Sequence, residues 1–194
     1  MKSRRLANAP CKRAVLASAF FDRPADQVAR DLVGKVLLRR IGGKPQAFVI
    51  TETEAYLGPQ DLACHAARGR TARTEVMFGP PGRFYIYFVY GLHWMLNVVT
   101  GPPSYPAAVL VRSAGPVKGP GRLSAALAIT GALNGKAAQP ATGLWFEDRP
   151  AAGRIIATPR IGVAYAGPLW SRRRLRFVLA PHLPGLEPAC GSSV

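Results

Sequence analysis

GRFYIYFVYGLHWMLNVVT, residues 82–100, decides the architecture. Apolar and aromatic residues alternate along it at a period of two, and Gly91 is the only glycine between Arg83 and Thr100. The stretch therefore predicts two strands bent back on each other at Gly91. Alternation sets Phe84, Ile86, Phe88 and Tyr90 on one side and Tyr85, Tyr87 and Val89 on the other. Aromatic residues favour strands, and such runs commonly form sheet core. Charge adds a second reading, because Val76 to Phe146 contains no acid but holds Arg83, Arg112, Lys118, Arg122 and Lys136. Rings inside an acid-free basic stretch suit stacking on nucleobases beside a phosphate backbone.

Outward from this hairpin, Lys35 to Arg40 and Ala47 to Tyr56 read as a second hairpin around Gly42-Gly43, Ala107 to Ser113 as a further strand and IGVAYAG, residues 161–167, as a last short one. Helical spacing of Ala25, Val28, Ala29, Leu32 and Val33 predicts a helix over Pro24 to Val33, stopped by Gly34. Helices are also expected over Leu62 to Ala67 and from Gly121 to Gly131. Strands and helices do not alternate regularly, which argues for an α+β domain with a largely antiparallel sheet and helices packed around it.

The chain has 194 residues, enough for one domain with a substantial core, expected over 17–194 after a basic, flexible tail at 1–16. It carries 26 Lys+Arg against 10 Asp+Glu, a formal charge of +16. That excess draws polyanions, with nucleic acid the leading class. Cys11, Cys64 and Cys190 are few and widely spaced, which predicts no disulfide framework and fits a reducing cytoplasm. The apolar run Ala14 to Phe21 follows several basic residues, yet it is short and leads straight into the first helix, so it is read as part of the fold and not as a secretion signal. No stretch approaches the ~20 apolar residues of a membrane span.

VITETEAYLGPQDLACH, residues 49–65, concentrates acids in an acid-poor chain. Along a strand, Ile50, Glu52, Glu54 and Tyr56 share one face, and Val49, Thr51, Thr53 and Ala55 the other. Two carboxylates beside a ring admit three readings: a base that activates water, a divalent-metal site drawing on Asp61 and His65, or ion pairs with surrounding cations. Further on, Arg149, Arg154, Arg160, Arg172, Arg173, Arg174 and Arg176 follow without an intervening acid, as either a phosphate track or a solvated basic face.

ITETEAYLGPQDLACH, MFGPPGRFYIYFVYGLHWMLNVVT, PAAVLVRSAGPV and GPGRLSAALAI, in that order, closely resemble the alkyladenine (3-methyladenine) DNA glycosylase family over roughly residues 30–160. The resemblance implies a single domain around a curved, mostly antiparallel sheet, from which a hairpin enters the DNA minor groove. It implies a monofunctional hydrolase of base excision repair that needs no metal or cofactor. Such an enzyme acts in the cytoplasm, as a monomer, on double-stranded DNA with damaged purines. The N-glycosidic bond of alkylated purines, chiefly 3-methyladenine, would be cut after base flipping to leave an abasic site, with 7-methylguanine, hypoxanthine and ethenoadenine as further candidates.

By the same resemblance, Glu54 is the catalytic carboxylate that deprotonates a water aimed at C1′, and Arg112 helps to hold that water. Tyr56, Tyr87 and His65 would sandwich the flipped base, and Asn97 would crowd the exocyclic amine of guanine. Tyr90 would be the wedge inserted into the duplex, with Met77 packed beside it. Trp94 departs from the resemblance, standing where relatives vary, and is expected to narrow or reshape the pocket. Glu52 is assigned a structural role. The alternative is a non-catalytic RNA-binding module that stacks bases on the same hairpin, and a metal-dependent nuclease is a third reading.

Overall fold

The structure is a computed structural model that describes residues 13–150 and 153–180. Eight strands form one open sheet in which every pairing is antiparallel: β1 Val36–Ile41, β2 Lys44–Tyr56, β3 Phe84–Val89, β4 His93–Thr100, β5 Ala107–Ala114, β6 Leu144–Glu147, β7 Ile155–Thr158 and β8 Arg176–Leu179. The order is β3-β4-β5-β2-β1-β6, with β8 joined to β2 and β7 to β8. Four helices complete the described residues: α1 Ser18–Phe21, α2 Ala25–Leu32, α3 Pro120–Ala126 and α4 Gly167–Arg172. The expected α+β class holds.

β2 is the spine. Its first half pairs with β1, and its second half pairs with β5 on one edge and β8 on the other. Register shifts between Ile50 and Thr53 mark a bulge, and the extra residue changes which face the chain presents. Ile50 consequently joins Ala55 in the main core, while Thr53 donates to the carbonyl of Ala29 in α2 at 2.7 Å. This corrects the strict alternation, which put Ile50 with Glu52, Glu54 and Tyr56. α2 buries Ala25, Val28, Ala29 and Leu32 against the sheet, the stripe its sequence spacing predicts.

One expected element shortens and two change type. Residues 59–68 form turns and a 3₁₀ segment, His65–Arg68, in place of a helix over Leu62 to Ala67, because the Asp61 carboxylate takes the backbone N–H groups of Leu57 and Ala63. α3 stops at Ala126, and Ala128 turns with φ 47° so that Leu127 and Ile129 both enter the core. Residues 161–167 are a loop with a short 3₁₀ turn and not a strand. Of the expected tail, residues 1–12 lie outside the described residues, and Ala14 to Leu16 pair with residues 146–148. No helix among the described residues is long and apolar enough to cross a membrane.

Candidate active site

Among the described residues, Glu54 and Asp61 are the two acids with no exposed surface. Glu54 lies near the C-terminal end of β2, between β5 and β8. Oε2 accepts the Tyr56 hydroxyl at 3.0 Å, Oε1 accepts the Ile161 amide at 2.8 Å, and Arg112 Nη1 stands 3.3 Å from Oε1. A carboxylate has about four acceptor positions, so these three donors fix its orientation and leave one position on Oε2. Burial, and then the charge of Glu54, push the Tyr56 phenol well above its ordinary value, which keeps the donating proton in place.

Beneath it, Glu52 holds the arginine. Oε1 of Glu52 accepts Arg112 Nε and Arg176 Nη1, each at 2.9 Å, and Oε2 accepts the Ser113 hydroxyl at 2.7 Å. The Glu52 carboxyl is lowered: burial opposes the charge, and the hydrogen bonds from Arg176, Ser113 and Arg112 outweigh it. The structural role expected for Glu52 is the clamping of Arg112 against Glu54.

Tyr56, Arg112 and Ile161, the partners of Glu54, line a cleft of about 930 Å³ together with His65, Tyr87, Tyr90 and Tyr165. In its floor lies a recess of about 40 Å³ bounded by Tyr56, Cys64, His65, Met77, Tyr85, Tyr87, Asn97 and Tyr165. The His65 ring meets Tyr87 edge-on, with centroids 4.6 Å apart, and its Nδ1 lies 2.9 Å from the Tyr85 hydroxyl. Burial, then Arg73 and Arg68, push the imidazole down to about 4, so it is neutral at physiological pH. Asn97 is buried, and its Nδ2 donates to the carbonyls of Tyr85 and Met95 at 3.1 and 3.2 Å. At the hairpin tip Tyr90 is 90% exposed and held at φ 53°, beside Gly91 at φ 66°. A bulky side chain seldom adopts that backbone conformation.

A buried acid held by residues of a ring-lined cleft, on a chain of this charge, agrees with what the sequence comparison finds. The sequence model described as methylpurine-DNA glycosylase matches residues 19–119 and 116–182. The chain belongs to the methylpurine-DNA glycosylase family. It is similar to a protein of Methanocella arvoryzae named "Putative 3-methyladenine DNA glycosylase", with 46% identity over 79% of this chain and 86% of that one. Proteins of the same name from Anaeromyxobacter dehalogenans and Psychrobacter cryohalolentis are 46% and 38% identical, over 84% and 87% of this chain and 83% and 93% of theirs. The protein is a DNA glycosylase, a hydrolase whose substrate is DNA.

In this glycosylase Tyr56, His65 and Tyr87 line both the cleft and the recess, Arg112 lines the cleft, Asn97 lines the recess, and Glu54 is held behind them by Arg112 and Tyr56; Met77 and Trp94 stand elsewhere than expected. Met77 is buried in the recess floor with Cys64 and Tyr85, while Tyr90 projects at the hairpin tip; the other exposed apolar residue of that turn is Leu92. Trp94 packs on Phe88, ring centroids 4.7 Å apart, and fills the space over Gly131, where a Cβ would come within 2.8 Å of its ring. It lies outside both pocket walls.

The arginine track also divides. Arg160 is no surface cation: it is sealed against Asp61 with contacts of 2.6 and 2.8 Å, donates to the Ala55 carbonyl, and lies 4.8 Å from the centroid of the Tyr56 ring. Both Asp61 oxygens are thereby committed to Arg160, so Asp61 is an ion-pair partner here and not a free ligand beside His65. Sequence spacing missed Arg73, Ile161 and Tyr165. Tyr165 reaches the pocket from the 161–167 loop and donates its hydroxyl to the Ala63 carbonyl at 3.0 Å.

Proposed function

We propose that this glycosylase excises alkylated purines, chiefly 3-methyladenine, from duplex DNA after flipping the nucleotide out of the stack. The observation that carries the reading is the buried Glu54 carboxylate, oriented by three donors that all belong to the wall of the ring-lined cleft. A base excluded from the helix needs rings to stack on, and Tyr56, Tyr87 and neutral His65 line the cleft that would receive it. Electron-rich rings favour an electron-poor alkylated base.

Water entering at the free position on Oε2 gives its proton to Glu54 as its oxygen bonds to C1′. The C1′–N bond breaks with its electron pair leaving on the purine, and the carboxylate stabilises the oxocarbenium-like sugar. Arg112, clamped by Glu52, steadies the Glu54 carboxylate through direct contact with Oε1. Asn97, its amide nitrogen engaged by two backbone carbonyls, presents a fixed wall to the exocyclic amine of guanine. Tyr90 fills the gap in the duplex, with its exposed ring presented at the tip of the hairpin.

Incubation with methylated duplex DNA in EDTA should release free methylpurine, and absence of release across several salt concentrations refutes the assignment. The Glu54→Gln protein should still bind lesion DNA with near wild-type affinity while its turnover falls by at least about a hundredfold. A wild-type rate in that variant removes Glu54 from the chemistry.

A further inference from the structure

Two guanidinium groups lie against the rings proposed to hold the base, and they differ in how their charge is balanced. Arg160 lies 4.8 Å from the Tyr56 centroid, and Asp61 neutralises it. Arg73 lies 4.9 Å from the Tyr87 centroid, lines the cleft with that ring, and has no salt bridge among the described residues. The acid nearest to it in sequence, Glu75, is taken by Arg70 at 2.7 Å. Arg68 lines the same cleft, and His65 between them is uncharged at neutral pH. This wall of the pocket therefore carries positive charge that no salt bridge among the described residues cancels.

We propose that Arg73 makes the pocket sort lesions by charge, so that neutral damaged bases such as hypoxanthine gain over cationic ones such as 3-methyladenine. The proposal rests on the base-excision reading above. When the C1′–N bond breaks, the departing base takes the electron pair. A cationic purine becomes neutral, and a neutral purine that leaves without a proton becomes an anion. The change on the base is one unit of negative charge in both cases, so a fixed cation assists the bond-breaking step of the bound complex alike. Entry differs. Relative to free enzyme and free DNA, the cationic base is repelled on its way onto Tyr87 and the neutral one is not. The effect of Arg73 accordingly lies in the ratio of kcat/KM values and vanishes from the ratio of kcat values. An arginine that only grips a phosphate would change both substrates equally.

The test measures kcat and kcat/KM for duplexes carrying hypoxanthine and for methylated duplex releasing 3-methyladenine, with the wild type, Arg73→Met and Arg73→Lys. The Met variant should lower the hypoxanthine to 3-methyladenine ratio of kcat/KM by roughly tenfold with little change in the ratio of kcat, and the Lys variant should retain most of the wild-type ratio. An unchanged kcat/KM ratio in Arg73→Met overturns the proposal, as does a wild-type protein that releases 3-methyladenine but no hypoxanthine. Release of neither base by the wild type refutes the base-excision reading itself, and the proposal with it.

Discussion

His65 shows how a single side chain takes its chemistry from its neighbours. An imidazole with an ordinary value near 6.5 is brought to about 4 by burial and by two arginines, so it meets a base as a neutral ring. The unfolded chain binds a proton at this position before the folded one does. The contribution to stability is therefore full above about pH 6.5 and is lost as pH falls towards 4. Urea denaturation at pH 7 and pH 4.5 should show this decline, and a His65→Gln variant should show less of it; an imidazole NMR titration centred near 6.5 in the native protein contradicts the account. The sequence resemblance singled out His65, Glu54, Tyr56 and Tyr87 as candidates. It could not identify Ile161, whose amide reaches Glu54 from 107 positions away, because a backbone donor leaves no mark in residue type. Arg73 was hidden for a related reason, since one arginine among 26 cations has no distinguishing spacing.

At the scale of elements, the segment 159–166 does the work of a fastener. Arg160 ties it to Asp61 and lies against Tyr56, Ile161 ties it to Glu54, and Tyr165 closes the recess wall. The Asp61–Arg160 pair is fully buried, and removing one partner of such a pair leaves an uncompensated charge that costs about 3–5 kcal/mol. Asp61→Asn should therefore lower stability by that order in denaturant titrations and reduce excision further by loosening Tyr56, and a variant as stable as the wild type would mean that water reaches this pair. The hairpin of β3 and β4 was legible because strict alternation and one central glycine leave few other foldings. β6, β7, β8 and α4 were not legible. Each spans four to six residues, too few for a period to declare itself, and each exists because a longer element offers an edge or an apolar face.

For the whole molecule, charge governs the encounter with DNA. At +16, binding to undamaged duplex should fall at least about tenfold between 50 and 200 mM salt, a drop that two neutralised phosphates already produce. The single-turnover excision rate of the bound complex should stay nearly constant over the same range. A salt-independent affinity would mean that the cations are spent on internal pairs, as Arg112, Arg160 and Arg176 are. Alternation, composition and the order of the motifs determined the α+β sheet, the polyanionic partner and the residues that gather at the site, because each is written in local spacing and residue type. Tertiary structure alone decided which of the cations face the cleft and which are sealed inside. It also decided that a bulge in β2 turns Ile50 to the core while Glu52, Glu54 and Tyr56 keep the other face. Burial and pairing are set by segments a hundred residues apart, and hydrogen-bond register by the neighbouring strand, so neither is encoded within the stretch it controls.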